Sequence, residues 1–387
     1  MKNNYLLPNY NKMPIEFVNG EDVYLYDTDG EKYLDFTSGI GVANLGYSQP
    51  DLVSALKNQA ELLWHTPNLY QNSLQEKVAE KLIGNRDMLA FFCNSGTEAN
   101  EAAIKLIRKH TGKNQIIAFE DSFHGRTFGS MSATGQSAIH DGFGSIVEGF
   151  VHVPFNDSQA LKTAISEDTA AVFLELIQGE GGVIPADEAW LAEVVQLCHS
   201  HGLLLVVDEV QTGMGRTGNL YASDTYNIQP DIVTLAKGLG NGIPVGAMLA
   251  KSSLAASFGP GTHGSTFGGN RLALSAADKV VALIDTPELL GNVEELGKFS
   301  LNYLREGLKN CPNVVSIRGK GLMIGIELTE GIEPVLASLI AEKLLVLRAG
   351  QSVIRLLPPL VISKEDLKIG LEKIIDTLTK VREADEK

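Results

Sequence analysis

Asp208 ends the apolar run "LLLVVDE", and Lys237 directly follows the apolar run "IVTLA". A lysine amine attacks carbonyl carbons, and a carboxylate beside a heterocycle keeps a ring nitrogen protonated. A carboxylate in apolar company is costly unless a cation or donors meet it, so the two residues alone read first as a structural ion pair. Two further stretches bear on the choice. "FFCNSGTEANEAAIKL" passes from strand-like to helical pattern through Ser95, Gly96 and Thr97, with Ser95 and Glu98 at capping-box spacing. At such a helix start the backbone of Gly96, the Thr97 hydroxyl and the positive dipole end would hold a phosphate. "DSFHGRTFG" places Phe123 and His124 on a loop after the run "QIIAFE", where an aromatic face covers a planar ring. Phosphate cradle, aromatic cover, ring carboxylate and amine together meet the needs of pyridoxal 5′-phosphate, which is the expected cofactor.

A competing signal lies between them. Gly213, Gly215 and Gly218 in "VQTGMGRTG" have the G-x-G-x-x-G spacing of a dinucleotide fingerprint, which would make the chain a nucleotide-dependent oxidoreductase. That motif needs a helix directly after the glycines, but "NLYASDTYNIQPD" follows and breaks any helical period. It also needs an acid after the next strand, where Lys237 stands instead. The glycines are therefore expected to shape a loop beside a ligand.

These residues must be positioned by the elements around them. The runs "MLAFFCN", "QIIAFE", "AAVFLELI", "LLLVVDEV", "DIVTLA" and "PVGAMLA" alternate with helical patterns such as "DEAWLAEVVQLCHSHG", which ends at Gly202. Alternation of this kind predicts an α/β domain around a mainly parallel, buried sheet. Ligands then bind beyond the carboxyl ends of the strands, so Asp208 and Lys237 would face one crevice. Residues 1–60 read as a hairpin-rich arm and part of a small domain, 61–270 as the large cofactor-binding domain, and 271–387 as a smaller α+β domain packed with the arm.

With 47 acidic and 32 basic residues the formal charge is −15, which argues against a nucleic-acid groove or an anionic membrane surface. Cys93, Cys198 and Cys311 are odd in number and far apart, as reduced core thiols are, and no metal site is expected. The N-terminal "MKNNYLLPNYNKMP" has no signal-peptide apolar region, and a cytoplasmic location is expected.

The strings "NSGTEANEAAIKL", "FHGRTFGSMSATG", "IQGEGGV", "VVDEVQTGMGRTG", "LAKGLGNGIPVGAML", "THGSTFGGN", "GKGLMIGIEL" and "RLLPPL" occur in this order along nearly the whole chain. In them the sequence closely resembles the class-III, fold-type-I aminotransferases, and among these the acetylornithine aminotransferases. The resemblance implies a seven-stranded, mainly parallel sheet. It also implies Lys237 as the cofactor-linked lysine, Asp208 on the ring nitrogen, Gln211 near the ring oxygen, Phe123 over the ring, and Gly96 and Thr97 at the phosphate. Thr266 would reach the phosphate of a neighbouring subunit, which implies a homodimer with active sites at its interface. Arg126 and Ser265 fall at the acylated amino-acid site, with Arg126 on its α-carboxylate. Arg355 falls where the α-carboxylate of 2-oxoglutarate binds, with Glu180 as its pairing partner between Gly179, Gly181 and Gly182, which would let it swing. The implied substrates are N-acetylornithine and 2-oxoglutarate; ornithine, 4-aminobutyrate and N-succinyl-diaminopimelate are rival pairings within the same chemistry. Three positions depart from the family pattern: "GYSQP" at residues 46–50, Leu176 in place of a common proline, and Arg271 after "GGN".

Overall fold

The six apolar runs form strands of one sheet, and a seventh strand, Phe150–Val153, joins its edge. The computed structural model describes residues 5–385; residues 1–4 of the arm and 386–387 of the C-terminal segment lie outside the described residues. In order across the sheet the strands are Met88–Cys93, Gly246–Lys251, Ile232–Leu235, Leu204–Asp208, Thr169–Leu174, Gln115–Phe119 and Phe150–Val153. Gly246–Lys251 is antiparallel to both neighbours, and the other pairings are parallel. Every residue of Thr169–Leu174 and Ile232–Leu235 is buried, as expected of strands with both faces covered. The edge strand Phe150–Val153 is only half-buried and carries His152, and its weak apolar signal hid it in the sequence.

The helix Gly96–Thr111 buries Ala99, Ala102, Ala103, Ile104, Leu106 and Ile107, small residues alternating with large ones, and packs across the middle of the sheet. On another part of the sheet Glu188–His201 starts at Asp187, which caps the Trp190 amide, and stops at Gly202 with φ 63°.

A second core joins the two ends of the chain. The antiparallel strands Phe17–Glu21, Tyr24–Asp27 and Lys32–Asp35 are extended by Leu344–Leu345, parallel to the last of them. A further antiparallel sheet runs Val314–Lys320, Met323–Leu328, Val353–Leu356, Leu347–Ala349. Val23, Leu34 and Phe36 share one apolar cluster with Leu296, Ile324, Leu356 and Leu371.

Gly215 and Gly218 do not shape a ligand loop. A Cβ at Gly215 would meet Ile284 and Leu360, and one at Gly218 would meet Glu294, so these positions admit the helices Arg271–Ile284 and Pro287–Gly307. The four-residue helical turn Ala222–Thr225 follows only after an irregular stretch, and no dinucleotide fold forms. Among the described residues no His, Cys, Asp and Glu group could hold a metal, all three cysteines are free, and no helix is long and apolar enough to cross a membrane.

Candidate active site

Asp208 is the last residue of its strand, and its carboxylate is almost wholly buried. Oδ2 accepts from His124 Nδ1 and Asn100 Nδ2, each at 2.8 Å, and Oδ1 accepts from the Val210 amide at 2.9 Å. The His124 ring is stacked on Phe173 with centroids 4.5 Å apart, so its orientation is set by packing as well as by the bond. Three donors from three segments thus fix where Asp208 presents its charge.

On the adjacent strand the chain leaves Leu235 and turns sharply at Lys237, which has φ 43°, a left-handed conformation costly for a residue with a Cβ. The turn is held by the Leu239 amide on Ala236 O and the Gly240 amide on Lys237 O. Burial lowers the pKa of the Lys237 amine from its usual value; Glu180 opposes this, and Arg355 adds to the lowering. A neutral amine is what both nucleophilic attack and proton abstraction require.

Lys237 and Asp208 line one cavity of about 400 Å³ together with Gly96, Thr97, Phe123 and Arg126. Glu180 and Gln211 close one side of it. The Ser95 hydroxyl caps the Glu98 amide at 3.3 Å, while the Glu98 carboxylate reaches past Ser95 to the Asn94 amide at 2.6 Å. The amides of Gly96 and Thr97 therefore have no acceptor among the described residues, at the start of a 16-residue helix. Gly96 is needed for a different reason from the one its position implied: a Cβ there would lie 2.8 Å from Val210. Similarly Gly238 and Gly240 admit Asn44 and the Ile243 carbonyl, and of this run only Gly242 opens on the cavity.

Arg355, on Val353–Leu356, donates to Glu180 and also to Gln211 Oε1 at 3.1 Å. Arg126 is exposed, stands over the Phe123 ring at 5.6 Å and has no carboxylate partner among the described residues. Phe123 is held through its amide by Glu175 at 3.0 Å, and burial pushes the Glu175 carboxyl upward.

The class-III aminotransferase model matches residues 5–378 of the chain. The chain belongs to the class-III aminotransferases. It is 51% identical to the acetylornithine aminotransferase of Listeria innocua, over 97% of this chain and 98% of that one. The acetylornithine aminotransferase of Streptococcus mutans is 54% identical over 95% and 96%. Among solved structures, N-acetylornithine aminotransferase from Stenotrophomonas maltophilia superposes with a TM-score of 0.84 at 36% identity, covering 97% of this chain and 98% of that one. An ornithine aminotransferase from Toxoplasma gondii superposes at 0.94 and 32% identity, covering 99% and 94%.

The cofactor of class-III aminotransferases is pyridoxal 5′-phosphate, and the cavity fits it. Two free amides at a helix start suit the phosphate, a donor-fixed carboxylate suits the ring nitrogen, and a buried amine of lowered pKa suits the aldehyde. Three of the aminotransferase positions read from sequence, Arg355, Ser265 and Thr266, lie outside the cavity lining of their own chain, Arg355 behind Glu180 and Gln211. Thr266 is exposed, and Ser265 bonds Asn94 Nδ2 at 3.1 Å and the Gly268 amide at 2.9 Å. Asn100 and Glu175 carry no sequence signal, since a helix asparagine and a strand-end glutamate belong to no motif; their part in the site is visible only from what they bond. Leu176 is buried in an apolar cluster, and Arg271 begins the helix Arg271–Ile284 with its Nε buried and unpartnered.

Proposed function

We infer that the protein transfers the terminal amino group of N-acetylornithine to 2-oxoglutarate, giving N-acetylglutamate 5-semialdehyde and glutamate, in arginine biosynthesis. The observation that carries this reading is the Arg355–Glu180 pair, whose carboxylate lines the same cavity as Lys237. It masks the inner arginine while a donor with a remote carboxylate is in place, and leaves the unpaired Arg126 of the same cavity for that carboxylate. Bidentate carboxylate binding suits a guanidinium in both places. The acetylornithine aminotransferases that are 51% and 54% identical support the choice of donor.

When bound, the cofactor supplies an aldehyde that condenses with amines and a ring that withdraws electrons from the carbon beside them. Lys237 Nζ holds the cofactor between turnovers, is displaced by the donor amine, and then takes a proton from the carbon bearing that amine. Asp208 holds the ring nitrogen, Phe123 covers the ring, Gln211 stands near the ring oxygen, and Gly96 and Thr97 hold the phosphate. In the return reaction Glu180 turns away, and Arg355 takes the α-carboxylate of 2-oxoglutarate, one ion pair replacing another.

The working form in this reading is a cytoplasmic homodimer. Thr266 and the apolar side chains of Leu62, Leu69, Tyr70 and Phe267 are exposed on one chain, and the Asn68 amide ties the first segment to the second through Ser265 O and Gly268 O. An exposed apolar surface of this kind is covered by a partner, and Thr266 of one subunit then completes the phosphate site of the other.

Borohydride reduction of the purified, cofactor-loaded protein, followed by peptide mass analysis, tests the centre of this scheme. The cofactor mass is expected on Lys237, and Lys237→Ala is expected to fold but to lose both the label and turnover. Labelling at another lysine would refute it.

A further inference from the structure

Arg216 is fully buried and forms no salt bridge among the described residues. Burial pushes its pKa down to about 9, opposed only by Asp35 at longer range. A buried cation without an anion is tolerated only where carbonyls and amides surround it. Its Nη1 donates to Leu322 O at 3.0 Å and Pro358 O at 2.5 Å, and Nη2 donates to Asn44 Oδ1 at 2.6 Å. The backbone adds a further tie, the Leu322 amide on Arg216 O at 3.0 Å.

The acceptors belong to two parts of the chain, one adjoining the strand pair of Arg355 and one fastened to the turn of Lys237. Leu322 precedes the strand Met323–Leu328 and Pro358 follows Val353–Leu356; these strands pair, with Gly325 opposite Arg355. Asn44 faces the other way. Its Nδ2 donates to Met214 O at 2.9 Å and would lie 2.4 Å from a Cβ at Gly238, the residue after Lys237. The neighbouring Leu45 amide bonds Asn241 Oδ1 at 2.7 Å, and Asn241 Nδ2 returns to Gly46 O at 3.1 Å, so residues 44–46 are fastened to the whole turn that carries Lys237.

We propose that Arg216 is a positioning residue that sets the distance between Lys237 and Arg355, and thereby the fit of a dicarboxylate acceptor, by clamping the Arg355 strand pair to Asn44. The proposal rests on the roles given to Lys237 and Arg355 above. Arg216 touches neither substrate nor cofactor, and it acts through Asn44 on one side and through Pro358 and Leu322 on the other. Lysine in its place would keep a charge but could not reach three divergent acceptors. The two ends of the site would then be free to shift, and displacement on the scale of an ångström is enough to weaken a two-ended ligand.

The test is calorimetric binding of glutarate, an unreactive dicarboxylate, to the cofactor-loaded protein as wild type, Arg216→Lys, Asn44→Ala, the double variant and Arg355→Met, with melting temperature and cofactor absorbance recorded for each. Wild type is expected to bind and Arg355→Met to lose binding. Arg216→Lys and Asn44→Ala are each expected to weaken glutarate about tenfold with cofactor retained, and the double variant to be no weaker than Arg216→Lys alone. Folded Arg216→Lys with affinity within about twofold of wild type, or two effects that add, would overturn the clamp. A lowered melting temperature with unchanged affinity would equally make Arg216 a stabilising residue only. If Arg216→Lys does not fold, Asn44→Ala decides by the same criterion. Unchanged binding by Arg355→Met would instead overturn the underlying reading of Arg355, whatever Arg216 does.

Discussion

Glu180 and Arg355 meet at two points, Nη1 to Oε1 at 2.6 Å and Nη2 to Oε2 at 3.2 Å, with the guanidinium side chain 2% exposed and the carboxylate side chain 28% exposed. Burial would raise the Glu180 pKa, but Arg355, followed by Lys237 and Gln211, holds it below its usual value. The pair thus has one fixed member and one that can leave toward solvent. The glycines beside Glu180 do not supply that freedom, because a Cβ at Gly179 would lie 2.2 Å from Gln211 and one at Gly181 would lie 2.7 Å from Asp121 O. The Glu180 carbonyl also holds the Gly350 amide, so release requires rotation of the side chain rather than a swing of the backbone.

Removing the carboxylate leaves Arg355 permanently open. Glu180→Ala is expected to slow the half-reaction with N-acetylornithine by roughly tenfold or more and to speed the competing one with glutamate. Stopped-flow absorbance of the bound cofactor measures both. Equal slowing of the two, or an unchanged ratio, would leave the pair a scaffold.

Asp208→Asn keeps size but loses charge. It is expected to bind cofactor and to lose about 10³-fold in turnover, since an amide cannot hold a protonated ring nitrogen electrostatically. The steady-state rate at saturating substrate is the measurement, and a wild-type rate would make the carboxylate purely structural.

Glu209, next to Asp208, accepts from the Ala222 and Ser223 amides, yet burial lifts its carboxyl from 4.5 to about 7. A carboxyl with a raised folded-state pKa binds more protons folded than unfolded, so its contribution to stability falls as pH rises through that window and is constant above it. Glu209→Gln loses an acceptor at every pH and does not titrate, so it lacks the pH-dependent loss that wild type suffers. The stability of Glu209→Gln relative to wild type should therefore improve by about 1–3 kcal/mol between pH 5 and pH 8, measured by denaturant unfolding. A gap that stays flat across this range would contradict the assignment.

The sequence makes the strand ends at Asp208 and Lys237 legible because buried parallel strands are continuous apolar runs, and those runs stop where the polar residues begin. The helix stop at Gly202 is legible for a similar local reason, a left-handed residue that only glycine takes readily. Tertiary contacts are not. Gly213, Gly215 and Gly218 have a ligand-loop spacing, but Gly215 and Gly218 make room for helices far along the chain and Gly213 for the Glu209 carbonyl and Leu235. The Glu98 side chain passes its expected partner, the Ser95 amide, for that of Asn94 one residue earlier. Arg216 reads as a loop arginine until Asn44, Leu322 and Pro358 converge on it from three distant segments.

The donor is the centre of the account. Mixing cofactor-loaded protein with N-acetylornithine, ornithine, 4-aminobutyrate or N-succinyl-diaminopimelate, with no acceptor present, and following the visible absorbance isolates the first half-reaction from everything after it. N-acetylornithine is expected to convert the cofactor fastest, and 2-oxoglutarate then to restore it. Faster conversion by any of the other three amines, or none by N-acetylornithine, would contradict it.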